Sequence, residues 1–277
     1  EGSAYDPIFT DDAVKYIESQ NGDKPFFMTL SLINPHDICR VLGGKVAGAT
    51  FTDAIHFARN ETEPYLRYQP RPNIPENHDI KYEKGMILHK DFMYYEVFGL
   101  NEDEWRRFIS TYQLLIENTD RHIGQLMRSV KNKGISDNTI IIFTTDHGEM
   151  AGSHKLIAKT TFYEESSKIP IIIKYPKRIK PKTVVENALV GTIDIMPSLL
   201  DLADVSVPDD LDGRSFKNEI INPNSKKNKF NVVYSQNQFG RMVRFDNFKY
   251  VSIKCNLKNT PAGTPLEAFL WVLEISL

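Results

Sequence analysis

The sequence is short of most features that would assign it by composition. It has only two cysteines, Cys39 and Cys255, which cannot build a disulfide framework, so both read as plain thiols. Its formal net charge of −2 supplies no electrostatic drive toward nucleic acid or an anionic membrane surface. No uninterrupted apolar run reaches the ~18 residues that a transmembrane helix needs. No internal repeat, low-complexity tract or signal-peptide pattern is present. What remains is ordinary globular material. The 277 residues are 41% hydrophobic and 25% charged, enough for one large domain or two modest ones.

Within that background one stretch stands out. Thr139-Ile-Ile-Ile-Phe-Thr-Thr145 is apolar and β-branched, and it stops abruptly at Asp146-His147-Gly148-Glu149. This predicts a buried strand over 139–145 that delivers an acid and an imidazole to its C-terminal tip, where ligands bind in open α/β sheets. Pro25-Phe-Phe-Met-Thr-Leu-Ser-Leu-Ile33 reads as a second strand, ending in Asn34-Pro35-His36-Asp37. If both belong to one parallel sheet, the two ends open on the same rim. Lys168–Tyr175 reads as a third strand, with Pro170 suiting its start.

The clearest helix opens on Asn101-Glu102-Asp103-Glu104, a capping box. It carries Trp105, Phe108, Ile109, Tyr112, Leu115, Ile116, Ile123, Leu126, Met127 and Val130 at helical spacing and closes at Gly134. Asp120, Arg121 and His122 sit between these apolar positions and read as a solvated face or local ion pairs. A shorter helix is expected from Thr10 as N-cap, with Asp11 and Asp12 as dipole partners in its first turn. Another covers 192–203. The turn-rich 208–215 link carries Asp209-Asp210, read as solvated. Phe230–Ser235 and Phe248–Ile253 read as strands of a small C-terminal sheet. Residues 40–101 are poorly periodic, with Pro64, Pro70, Pro72 and Pro75 and scattered aromatics. They read equally as a binding loop or a surface excursion. Asn60-Glu61-Thr62 matches the N-glycosylation pattern.

Chemically, Asp146 offers carboxylate oxygens and His147 a ring nitrogen. Gly148 lets the backbone turn, so both can converge on one ion. The acid favours Ca2+ or Mg2+, the imidazole zinc or another transition metal, and ligand chemistry alone leaves the choice open. His154 and Lys159 follow on the same loop. A lysine beside a metal suits an anionic substrate, since both stabilise its oxygens. His36 could hydrogen-bond that anion or protonate a leaving group.

Asp146-His-Gly-Glu-Met-Ala-Gly-Ser-His154, Lys159, Phe162-Tyr-Glu-Glu-Ser166 and Ile169-Pro-Ile-Ile-Ile173 resemble the second half of a formylglycine-dependent sulfatase of the alkaline-phosphatase superfamily. Pro25-Phe-Phe and Asn34-Pro-His-Asp37, Asp120 to Gly124, and Leu211-Asp-Gly-Arg-Ser215 are similar too, so the likeness runs over roughly residues 5–250. It implies an α/β fold with an alkaline-phosphatase-like mixed sheet flanked by helices and a small C-terminal antiparallel sheet. It implies sulfuric ester hydrolysis at a divalent metal, Ca2+ ahead of Mg2+. Asp146 and His147 are then metal ligands, and His36 and Lys159 catalytic. His36, His154 and Lys159 contact the substrate, a sulfated small molecule or glycan. A periplasmic, secreted or lysosomal setting goes with it. The alternatives are a phosphate or phosphonate monoester hydrolase of the same superfamily, or a non-catalytic glycan- or anion-binding derivative.

The departures are specific. His147 stands where many relatives have Asn, and Lys155 where Gly is commoner. The nucleophile of the family comes from a Cys-x-Pro-x-Arg or Ser-x-Pro-x-Arg motif, and neither Cys39-Arg-Val nor Cys255-Asn-Leu supplies it. Asp11-Asp12 follows no apolar strand and does not take over the paired acids of the metal site. The expectation is a chain incomplete at its N-terminus, holding half a site and inactive by itself. Residues 1–225 would be the C-terminal portion of the catalytic domain and 226–277 a small subdomain with an atypical tail. That tail, Leu266–Leu277, reads as a core helix, a partner-binding helix or an abnormal reading-frame end.

Overall fold

A computed structural model describes residues 2–39, 72–81, 95–96, 100–186, 188–223, 231–237, 240–253 and 270–274, the last five and 95–96 by backbone alone. In chain order the elements are α1 (Gly2–Ser19), β1 (Tyr95–Glu96), α2 (Glu102–Asn132), β2 (Ile141–Thr144), β3 (Leu156–Ile157), α3 (Glu164–Ser167) and β4 (Ile171–Lys174). Then follow α4 (Ile195–Leu202), α5 (Lys217–Ile221), β5 (Val232–Gln236), β6 (Gly240–Phe245), β7 (Phe248–Ile253) and β8 (Leu270–Glu274). They form two compact units that interleave along the chain. The first takes residues 1–81, 93–136 and 149–158, the second 82–92, 137–148 and 159–277.

The first unit is built on α2. Its start is the expected capping box. Asn101 Oδ1 accepts from Glu104 N at 3.0 Å, and Asn101 N donates to Glu104 Oε2 at 2.8 Å. The apolar face of the helix buries Trp105, Phe108, Ile109 and Leu115 with Ile38 and Ile157. Burying side chains of this size stabilises by roughly 1.5–3 kcal/mol each. Helix α1 packs on α2, but it begins at Gly2 and passes through Pro7, so Thr10 is not its cap. Thr10 is fully buried, and its hydroxyl donates to Asp6 O at 2.7 Å. Asp11 and Asp12 are exposed mid-helix residues. His122 departs from the expected solvated face: it is buried, with Nδ1 3.3 Å from Gln125 Oε1.

The expected strand over 25–33 does not form among the described residues. The burial of the chain there alternates, yet no strand pairs with it, and Phe27 is 75% exposed. The alternation follows from the sequence; a ladder also needs a neighbour with free N–H and C=O groups.

In the second unit, β2 pairs with β4 antiparallel, Ile141 opposite Lys174 and Thr144 opposite Ile171. The sequence left the direction of this pairing open, and no parallel pair occurs among the described residues, so the shared parallel sheet considered for 25–33 and 139–145 does not form there. Ile140 and Ile173 pack on a core of Ile179, Leu202, Phe216 and Ile220. The expected 192–203 helix is a short 3-10 turn (Thr192–Asp194) followed by α4. Asp194 accepts from Gly191 N and Arg214 N, each at 2.9 Å. The C-terminal sheet is a meander, β5-β6-β7-β8, antiparallel throughout. It contains β6, which the sequence reading passed over. Residues 270–274 of the tail are its edge strand, so the helical readings fail there. The binding-loop segment, Asn60-Glu61-Thr62 and Cys255 lie mostly or wholly outside the described residues. Among those described, no helix is long and apolar enough to cross a membrane.

Candidate active site

The tip of β2 is shaped by backbone geometry. Thr144 Oγ1 donates to Pro170 O at 3.0 Å, which closes the β2–β4 ladder. Beyond it, Gly148 N donates to Ser166 O at 2.9 Å. A Cβ at Gly148 would lie 2.0 Å from Glu165 O, so only glycine allows this approach. Between these two fastenings the chain turns through Thr145, Asp146 and His147.

Asp146 and His147 face each other. Asp146 Oδ1 accepts from His147 N at 3.0 Å and Thr145 Oγ1 at 3.2 Å. That leaves Oδ2, which lies 3.3 Å from His147 Nε2. The other ring nitrogen, Nδ1, is 2.9 Å from Gly148 O. A carbonyl oxygen only accepts, so Nδ1 carries the proton. In a neutral ring, Nε2 then presents a lone pair to a carboxylate oxygen, which repels. The arrangement becomes attractive when the ring is protonated or when a cation sits between the two. Burial pushes the Asp146 carboxyl up, but the positive charge of His147 and the hydrogen bonds to Oδ1 outweigh it and hold it below the usual aspartate range.

This donor pair also fits a metal by spacing. A divalent ion bound here would be held by Asp146 Oδ2 and His147 Nε2, which lie 3.3 Å apart. Among the described residues no group of three or more His, Cys, Asp or Glu side chains gathers at one point. Two donors by themselves fall short of the roughly six to eight oxygen ligands Ca2+ takes.

Lys159 belongs to the same unit. It sits between two residues of left-handed backbone, Ala158 (φ 66°) and Thr160 (φ 77°). The Thr160 hydroxyl donates to Lys159 O, and Asn237 Nδ2 donates to Thr160 O at 2.8 Å. Its ammonium forms no ion pair among the described residues.

His36 and His154 belong to the first unit. His36 is exposed on a turn that follows a cis Asn34–Pro35 bond. The turn is pinned from α1. Asp6, fully buried, accepts from Ile33 N at 2.7 Å and Asn34 N at 3.0 Å. From α2, Thr119 Oγ1 donates to Asn34 O at 3.2 Å. His36 Nδ1 lies 3.8 Å from Cys39 Sγ.

His154 is placed differently. Nδ1 donates to Ile80 O at 2.9 Å, and Nε2 accepts from Asn77 Nδ2 at 3.4 Å. Beside it, Lys155 pairs with Asp79 at 2.7 Å and His78 Nδ1 donates to Gly152 O at 2.6 Å. Residues 77–80 thus clasp the 152–155 loop, and both His154 nitrogens serve that clasp. Glu149 closes the same hairpin, accepting from Ala158 N at 2.5 Å. Burial and then its charge push the Tyr112 hydroxyl up to about 12.

Sequence reasoning missed Asp6, Glu149 and an ion-pair cluster in which the half-buried Glu164 and Arg244 meet the buried Lys249. Glu149 was visible as the residue after His147-Gly148. The others carry no local signal, because their partners lie far away in sequence.

The family model named Sulfatase matches residues 1–205, and the chain belongs to that family. This family generally uses a divalent metal and a formylglycine. An ulvan-active sulfatase of Formosa agariphila is 29% identical, over 79% of this chain and 37% of its own. The multifunctional alkaline phosphatase superfamily protein PehA of Trinickia caryophylli is 31% identical, over 75% of this chain and 40% of its own. Among solved structures, a 2-O GAG sulfatase superposes with a TM-score of 0.73 at 25% identity, over 90% of this chain and 54% of that one. The fold is thus alkaline-phosphatase-like. The chain spans about half or less of the length of these relatives.

Proposed function

We propose that this chain forms one wall of a sulfatase site that hydrolyses sulfuric esters. The observation that carries the reading is the Asp146–His147 pair, whose facing Oδ2 and Nε2 call for a cation, inside a chain of the sulfatase family. Asp146 and His147 are its metal ligands, with Ca2+ ahead of Mg2+. A bound divalent ion supplies Lewis-acid stabilisation of sulfate oxygens. Lys159 contributes a second positive charge to those oxygens as charge develops in the transition state. His36, exposed on its turn, hydrogen-bonds the ester or protonates the leaving oxygen. His154 contributes through the loop it fastens. Residues 1–225 act as the catalytic portion and 226–277 as a smaller subdomain. The substrate class is a sulfated glycan, as the names of the ulvan-active and 2-O GAG relatives suggest, in a periplasmic, secreted or lysosomal setting.

The 31% identity to PehA favours a second reading, phosphate or phosphonate monoester hydrolysis, since metal, lysine and histidine suit any tetrahedral anion. Parallel assays with aryl sulfate and aryl phosphate in Ca2+ separate the two. This chain, combined with a segment that supplies a Cys-x-Pro-x-Arg nucleophile, turns over the sulfate faster. The 277-residue chain, which contains neither nucleophile motif, shows negligible turnover. Faster phosphate turnover would move the assignment to the second reading, and robust sulfate turnover by the 277-residue chain would overturn the half-site account.

A further inference from the structure

We infer that Lys249 is a positioning residue: one buried ammonium in the C-terminal sheet sets the placement of Lys159 and of the Asp146-His147 tip. The inference rests on the reading of Lys159 as an anion contact.

Lys249, on β7, is 2% exposed. Its Nζ donates to Phe162 O at 2.7 Å, to Ser167 Oγ at 3.2 Å and to the Glu164 carboxylate. Arg244, on β6, donates to Glu164 Oε2 at 2.5 Å. Asn237, just after β5, holds Thr160 O at 2.8 Å. Phe162 packs on Met242 and Val251. Two strands of the C-terminal sheet, β6 and β7, and the residue that follows β5 therefore grip the 160–167 segment, which has no ladder of its own. From that segment two short steps reach the site. Thr160 is bonded to Lys159. Ser166 O accepts from Gly148 N, one residue beyond His147.

The chemistry explains why an ammonium stands there. Burial pushes the Lys249 ammonium down from the usual lysine range, with Glu164 opposing. A buried charge is a poor device for stability alone, and an apolar residue of like size often serves as well or better. Against Met242 and Val251 a methionine would pack, but it could not hold the Phe162 carbonyl, Glu164 and Ser167 at once. Three donors on one nitrogen fix where the segment sits along the sheet.

Titration of the 277-residue chain with inorganic sulfate, followed by NMR against a sodium chloride control of equal ionic strength, tests this. Amide exchange at Gly148 and residues 160–162 is read in parallel. Lys159→Ala weakens sulfate binding about tenfold. Lys249→Met weakens it about fivefold, the loss of one net hydrogen bond at the site, and speeds exchange at those amides. Asn237→Ala, a milder change that keeps the fold, shows the same pattern at about threefold. Lys217→Met, which removes a 2.8 Å ion pair with Asp201 elsewhere in the unit, leaves sulfate binding unchanged. Should Lys249→Met fail to fold, Asn237→Ala decides. If Lys159→Ala loses affinity while the folded Lys249→Met and Asn237→Ala bind as the parent does, the positioning role is wrong and the site reading stands. If Lys159→Ala binds as the parent does, the site reading falls and takes the positioning role with it.

Discussion

At the scale of single residues, charges in this chain are placed where they have to be compensated. Glu164 shows how. Burial pushes its carboxyl up, but the Lys249 hydrogen bond and the Lys249 and Arg244 charges outweigh burial and hold it below the usual glutamate range. A carboxyl depressed in the folded state adds stability above its unfolded pKa, about 4.3, and that stability is lost as pH falls through the folded value. Glu164→Gln leaves Lys249 and Arg244 without their counter-charge, which costs about 2 kcal/mol at pH 7 after allowance for the partial exposure of Glu164. Denaturation midpoints measured from pH 7 to pH 3 show the gap between parent and variant closing below about pH 4. A gap that stays constant across that range would mean the ion pairs contribute nothing to the folded state. None of this was legible from sequence: Lys249 reads as the outward residue of an alternating strand, and its partners lie more than eighty positions earlier.

At the scale of elements, the strand tip and the helix were the legible parts. The 139–145 run announced β2, which is shorter (Ile141–Thr144) and half-buried where a buried strand was expected, because β-branched residues stop at a glycine-bearing turn. The Asn101–Glu104 box announced α2 because its two hydrogen bonds are local. Elements that depend on distant partners were misjudged or left unread. Residues 25–33 have the composition of a strand, and the described chain gives them no partner. The direction of β4 relative to β2 is set by pairing, which composition does not encode. Strand β6, Gly240-Arg-Met-Val-Arg-Phe245, hides its alternation behind two arginines, one of which is Glu164's partner. Glycines can be sorted by what they meet. Gly148→Ala sets a methyl against the Glu165 carbonyl carbon and oxygen and destabilises by about 1–3 kcal/mol. Gly124→Ala, inside α2, meets only the end of the Arg128 side chain and is neutral or stabilising by up to about 1 kcal/mol. Urea midpoints of the two variants check this, and equal midpoints would mean the tip is free to relax.

At the scale of the whole molecule, five candidate site residues divide between two units: His36 and His154 in the first, Asp146, His147 and Lys159 in the second. The sequence placed the acid and imidazole correctly side by side, since neighbours at a glycine turn can share an ion. It could not show that His154 has both nitrogens engaged by 77–80, because those contacts come from a segment without periodicity. The central claim is that Asp146 and His147 hold a divalent cation in a sulfatase-family site. Isothermal titration of Ca2+ into the 277-residue chain and into Asp146→Ala tests it most directly. One Ca2+ per chain, with affinity lowered at least about tenfold in the variant, is the predicted result. Binding of equal strength in parent and variant, or no Ca2+ binding by the parent, would contradict it.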